Sequence, residues 1–155
     1  MGHDMSNSVK DVMTQDHRYC DMILSELENT VLEENWAVAE LKVRQVTKNI
    51  LYHFEHEEET LFPWLEKMTG EDNGPTRVMR NEHSDIRQML TELHSCISEK
   101  DILRYLGVSD PLGIYIQQHN LKEENILYPM IDSQDTRKHT SLVKSMIQHQ
   151  NNRAA

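Results

Sequence analysis

Glycine and proline are scarce in this chain, 5 and 4 among 155 residues. With few β-branched runs as well, that scarcity argues against a β-sandwich or barrel, which needs many tight turns. No excess of basic residues exists: the formal net charge is −10. A phosphate backbone needs a positive surface, so nucleic acid is not expected as a partner, and neither is an anionic membrane. No apolar run approaches the roughly 20 residues that span a bilayer. The start, "MGHDMSNSVK", has no apolar leader core, so no secretory signal is expected. It does fit the loose pattern for N-myristoylation, without the second anchoring signal that stable attachment requires. The only two cysteines, Cys20 and Cys96, form no Cys-x-x-Cys pair. Free thiols in a reducing, cytoplasmic setting are the expectation.

What is present is helical periodicity. Val9, Val12, Met13, Tyr19, Met22, Ile23 and Leu27 recur at three- and four-residue steps, which predicts a helix over about 9–32, capped by Ser6 or Ser8. Asn35 caps a second helix over about 36–68. Its apolar face carries Val38, Leu41, Val46, Ile50, Leu51, Phe54, Leu61, Trp64 and Leu65, and Pro63 kinks it or starts a new turn. Gly70 stops it, and "TGEDNGP" is a loop. A third helix covers about 76–98 with Val78, Met79, Ile86, Leu90, Leu93 and Ile97 inward. "EKDILRYLGVSD" reads as irregular or a short helix. Asp110 and Pro111 then open a fourth helix, running to about 131. A short helix over about 136–149 follows. The expected architecture is all-α: one domain over 1–155, core about 9–149, forming an up-down-up-down four-helix bundle with a short C-terminal helix.

Two stretches share one frame. "HFEHEEETLFP" spans His53 to Pro63, and "HNLKEENILYP" spans His119 to Pro129, sixty-six residues later (119 − 53). His53 and Glu57, like His119 and Glu123, are four apart, which is about 6 Å of rise and about 40° of rotation on a helix. Each pair therefore offers one nitrogen and one carboxylate on a single face. His17 in "TQDHRYCDMI" and His83 in "RNEHSDIRQML" sit near the inward stripes of the other two helices. A lone inward histidine is ordinarily a satisfied core residue, and a Glu-rich run is ordinarily solvated. Two inward His-x-x-x-Glu pairs are different, because they bury two carboxylates at a cost of several kcal/mol that a shared cation removes. The candidate metal ligands are therefore His17, His53, Glu57, His83, His119 and Glu123. Four imidazoles and two carboxylates suit iron or manganese, with zinc less favoured. Glu55, Glu58 and Glu59 are assigned to solvent. His94 lies about 16 Å further along the third helix than His83 and is read as core or rim. His3, His139 and His149 are read as exposed, and Tyr52 and Tyr128 as core packing near the site.

These motifs, "DHR", "HFEHEEETLFP", "NEHSDIRQML" and "HNLKEENILYP" in order over about 10–147, resemble the hemerythrin family, in particular its bacterial HHE cation-binding branch. The resemblance implies a four-helix bundle around an oxo- or hydroxo-bridged non-haem di-iron centre. Glu57 and Glu123 would bridge the two iron ions, with the four histidines as terminal ligands. The chain departs from the oxygen-carrying hemerythrins, whose third helix has two histidines four apart; here the second position is Arg87. Their fourth helix spaces His and Asp by five, whereas His119 and Glu123 are four apart. One nitrogen ligand is missing, leaving a position that is open or filled by water or a tyrosine, with His56 as a candidate substitute. Three functions follow. The first is a protein that binds oxygen or nitric oxide for sensing, storage or delivery. The second is a di-iron enzyme acting on peroxide, NO or iron, or an iron donor for iron-sulfur cluster repair. The third is a structural metal module.

Overall fold

The computed structural model of the chain describes residues 8–134 and residue 148. Among these residues there are helices and no strands. Helix α1 is Val9–Leu32 and α2 is Trp36–His56; a π turn, Glu57–Leu61, joins α2 without a break to α3, Phe62–Thr69. Helix α4 is Pro75–Ser98 and α5 is Ile102–Lys122; a second π turn, Glu123–Leu127, continues into α6, Tyr128–Asp132. Among the described residues no helix is long and apolar enough to cross a membrane. The expected helix over 136–149, and His3, His139 and His149, lie outside the described residues.

Helix starts follow side-chain caps. Ser8 Oγ accepts from the Asp11 N–H, Asn35 Oδ1 from that of Val38, and Asp101 Oδ1 from that of Arg104. The ends of α1 and α4 are built alike. Glu34 and Lys100 adopt the left-handed conformation (φ 57° and 56°). The next N–H groups, of Asn35 and Asp101, reach back to Thr30 and Cys96 carbonyls, which are the bonds of a Schellman turn. Gly70, at φ 72°, ends α3 in the same left-handed region.

The fourth long helix starts nine residues before its expected origin at Asp110. Asp101 caps it, and Pro111 lies inside it. A proline costs the hydrogen bond to residue i−4 and crowds that carbonyl. Here residue i−4 is Gly107, and both residues are exposed, so water can take the carbonyl. Tyr105, Leu112, Ile116 and His119 are all buried, and that helical spacing overrides the proline. The apolar faces are also narrower than expected. Leu41 is 64% exposed, and Met22 and Val78 are exposed too. Leu41 is two residues beyond buried Ala39, about 200° around the helix. Met22 and Val78 each precede a buried residue, Ile23 and Met79, by about 100°.

Helix α1 packs on α2, α2 on α4, and α4 on α5, while α5 and α6 return to α1. Asp132, at the end of α6, accepts from the N–H groups of Val9 (2.8 Å) and Lys10 (3.1 Å) and closes the circuit at the start of α1. Two apolar clusters fill the interior. One contains Ile23, Leu27, Val43, Val46, Leu90, Leu93 and Tyr105; the other contains Val9, Met13, Leu61, Phe62, Met79, Tyr128 and Ile131. Each of the four rods contributes to both clusters, and on each rod a polar position falls between the two stretches. Those positions are His17, His53 with Glu57, His83, and His119 with Glu123.

Candidate metal centre

The polar layer between the two clusters is sealed. Glu57 and Glu123 are 0% exposed, and His17, His53, His83 and His119 are all buried. Their donor atoms converge in two overlapping groups: Glu57, His83, His119 and Glu123 in one, and His17, His53 and Glu123 in the other, each within 4.8 Å. His56 is half-buried and belongs to neither group.

Each imidazole is anchored from behind by a carboxylate. His53 Nδ1 lies 2.5 Å from Asp16 Oδ2 and His119 Nδ1 2.8 Å from Glu82 Oε1. His17 Nδ1 lies 2.7 Å from Glu124 Oε2 and His83 Nδ1 2.6 Å from Glu58 Oε2. An ionised carboxylate only accepts, so each Nδ1 carries a hydrogen and donates it. In a neutral ring Nε2 is then a bare lone pair, and all four Nε2 atoms point to the centre. Anchoring of this kind fixes tautomer and ring direction at metal sites and raises ligand basicity.

Sequence reasoning missed all four anchors. Glu58, expected in solvent, is half-buried and is also held by Arg87 through two hydrogen bonds of 3.0 Å. Asp16, Glu82 and Glu124 lie outside the expected ligand set. The signal that finds them is the sixty-six-residue offset, which relates Asp16 to Glu82 (82 − 16) and Glu58 to Glu124 (124 − 58), as it relates the histidines. Glu55 and Glu59 are exposed, as assigned. His94 is half-buried with its Nε2 2.7 Å from Thr47 Oγ1.

Both carboxylate pairs sit on π turns. The Phe62 N–H bonds to the Glu57 carbonyl and the Tyr128 N–H to the Glu123 carbonyl, five residues back in each case. A π turn holds one residue more than an α turn and is common at functional sites. Pro63 and Pro129 come next and lack the N–H a regular helix would use. Arg80 Nη1 donates to the Glu58 carbonyl, a backbone group in the turn before Pro63.

Tyr128 corrects a further expectation: it is more than packing. Its hydroxyl donates to Glu57 Oε2 at 2.6 Å and lies 2.9 Å from Glu123 Oε1. It also stands 3.2 Å from His17 Nε2 and 3.4 Å from His53 Nε2.

The electrostatics show too little positive charge for these groups. Burial alone would lower every imidazole, but the carboxylates overcome it. Glu57 lifts His53 to about 9, and Glu123, Glu57 and Glu58 lift His83 to about 10. His17 and His119 are raised as well. Burial would raise Glu123, yet His119, His17 and His83 hold it well below 4.5. Even so, Glu57 Oε1 and Glu123 Oε2 face His83 Nε2 and His119 Nε2 at 3.2 Å without hydrogen-bond geometry, so the four atoms are paired only by charge. Orphaned lone pairs at full burial are expensive. Cations among them resolve the cost, and the nitrogen and oxygen donors suit a first-row transition metal. The residues therefore fit a metal centre.

Beside it lies a cavity of about 20 Å³, walled by the rings of His17, His53 and His119 and by Cys20, Ile50, Phe54, Ile86, Ile116 and Asn120. Cys20 Sγ accepts from Asn49 Nδ2 at 2.8 Å, and burial pushes its thiol up, so it stays protonated. Cys20 and Cys96 are both free.

A family model described as the hemerythrin HHE cation binding domain matches residues 8–131. No curated protein and no solved structure matches the chain.

Proposed function

The chain belongs to the hemerythrin HHE cation-binding family, and from that premise we propose that its buried centre holds two iron ions and binds oxygen or nitric oxide for sensing, storage or delivery. His17, His53, Glu57, His83, His119 and Glu123 are the ligands in this reading, with manganese or zinc as alternative occupants. Bound iron would supply redox-active coordination for a diatomic ligand. The four long helices take the up-down-up-down course of a single-domain bundle, and the free thiols fit a cytoplasmic setting.

The observation that carries the ligand class is the cavity. About 20 Å³ exceeds the roughly 10–15 Å³ that admits one water molecule. It is far below the hundreds of Å³ of an organic substrate pocket. Its walls combine three histidines with three isoleucines and a phenylalanine, so it suits a small, uncharged molecule. The chain's own residues hold and orient donors, exclude water and keep a proton on each Nδ1, where a carboxylate accepts it.

Metal analysis with absorption spectra of anaerobic reduced protein tests the reading. Two iron ions per chain are expected, with a spectral change on O2 or NO that reverses when the gas is removed. Ile116→Phe, which fills the cavity, should leave the metal count unchanged and suppress that change. Sustained turnover of peroxide or NO with a reductant would instead support the enzyme reading. That alternative draws on the missing nitrogen: Arg87 is tied up with Glu58, so the third long helix supplies one imidazole where the oxygen carriers supply two. Folding that depends on metal, with no redox response, would favour a structural module.

A further inference from the structure

Tyr128 breaks the internal symmetry of the centre. The sixty-six-residue offset carries Tyr128 onto Phe62 (128 − 62). Both residues are fully buried. The Phe62 ring stacks on His83 at 5.7 Å, and the Tyr128 ring lies 5.8 Å from His17. One half of the centre thus has a hydroxyl where the other has none.

That hydroxyl has too many acceptors around it. Tyr128 Oη lies within 3.4 Å of Glu57 Oε2, Glu123 Oε1, His17 Nε2 and His53 Nε2. His17 Nε2 is itself 3.1 Å from His53 Nε2 and 3.0 Å from Glu123 Oε1. The Nδ1 hydrogens of both rings are committed to Glu124 and Asp16. Tyr128 Oη has one hydrogen for these four neighbours and cannot satisfy them all. The spacings have a simple meaning. Donors about 2.1 Å from a metal and adjacent in its shell are about 3 Å from one another. Among the four atoms Tyr128 Oη, His17 Nε2, His53 Nε2 and Glu123 Oε1, five of the six edges are 2.9 to 3.4 Å.

We propose that Tyr128 Oη is a metal ligand, completing the half of the centre formed by His17, His53 and Glu123. This rests on the metal-centre reading above. Ligation replaces the O–H bond with an oxygen–metal bond and releases the phenolic proton to buffer, with no change of oxidation state. The two halves are then chemically distinct. One has phenolate, imidazole and carboxylate donors. The other, with Glu57, His83, His119 and Glu123, has imidazole and carboxylate alone. The harder, anionic oxygen favours the ferric state in its own half.

The test is resonance Raman and visible absorption of the full chain loaded with ferric iron, for the protein and for Tyr128→Phe. Phenylalanine at Phe62 shows that this ring fits the corresponding place. The expected result is phenolate ring vibrations enhanced in a visible charge-transfer band, both abolished by Tyr128→Phe. Chelator competition should show one of the two iron ions held at least tenfold more weakly in the variant. Two bound ions with no phenolate vibrations, or the same vibrations in Tyr128→Phe, overturn the ligand assignment and leave the metal centre standing. Absence of bound metal from the unmodified protein overturns the metal reading and this proposal together.

Discussion

Glu58 and Glu59 are neighbours in sequence, and the structure gives them opposite weights. Glu58 accepts from His83 Nδ1 at 2.6 Å and from both terminal nitrogens of Arg87. Glu59 is exposed. Burial works against the Glu58 charge, but His83 and Arg87 hold its carboxyl at about 2, against an ordinary 4.5. At about 1.4 kcal/mol per pH unit that is roughly 3 kcal/mol. Solvent reaches the carboxylate and screens the pair, so about 1–2 kcal/mol is the expected contribution to folding. A carboxyl whose value falls on folding stabilises above its unfolded value, here about 4.5. The contribution is lost as pH drops through about 2. Urea denaturation of metal-free protein at pH 7 should therefore find Glu58→Gln about 1–2 kcal/mol less stable, and Glu59→Gln within about 0.5 kcal/mol of the original. The gap for Glu58→Gln should narrow as the pH is taken down towards 2. Because Glu58 also fixes His83, chelator competition should show metal held about 10–100-fold more weakly in Glu58→Gln. Equal behaviour of the two variants in both assays would refute the anchoring role of Glu58.

Other perturbations have signs that the structure sets. Glu57→Ala or Glu123→Ala should cut bound metal from two ions towards one or none by elemental analysis, while Glu59→Ala leaves the count alone. Burial lowers His94 below 6.5 beside Thr47, so its ring should titrate below that value by NMR. The neutral ring supports folding above pH 6.5, and this support is lost as pH falls through the lowered value; His94→Gln should flatten that part of the stability profile. Lys100 holds a left-handed conformation that costs a non-glycine residue about 1 kcal/mol, so Lys100→Gly should raise the urea midpoint by up to about that much free energy, and a lower midpoint would contradict it.

Much of the molecule could be read from spacing alone. Val9 to Leu32 forms the helix that its three- and four-residue steps imply, because Ser8 and the Glu34 turn act at its ends as local chemistry dictates. The helix from Ile102 was harder to see. Pro111 is a strong local stop signal, and only the long-range burial of Tyr105 and Leu112 outweighs it. The six converging histidines and glutamates could be picked out because their types and phases are unusual in a core. The anchors could not: a glutamate that hydrogen-bonds to an imagined ring looks the same in sequence as one in water. Tyr128 was hidden for a related reason. Its ring belongs to the apolar cluster, and only its last atom belongs to the site.

The two π turns make the centre a seam between two helical phases. Glu57, Leu61 and Leu65 are all buried, as are Glu123, Leu127 and Ile131. In an unbroken α-helix two steps of four would carry the last residue about 80° away from the first. The extra residue in each π turn absorbs about that rotation and keeps both ends of the rod facing inward. The segment from glutamate to proline therefore acts as a ruler of helical phase. Exchanging exposed Glu59 or Asn125 leaves the ruler intact. Deleting either would close the π turn into an α turn, with the Phe62 or Tyr128 N–H bonded to the same glutamate carbonyl from four residues away, and the ring would keep its place. Evolution at these positions is accordingly free in letters, and the loss of one residue is absorbed within the turn.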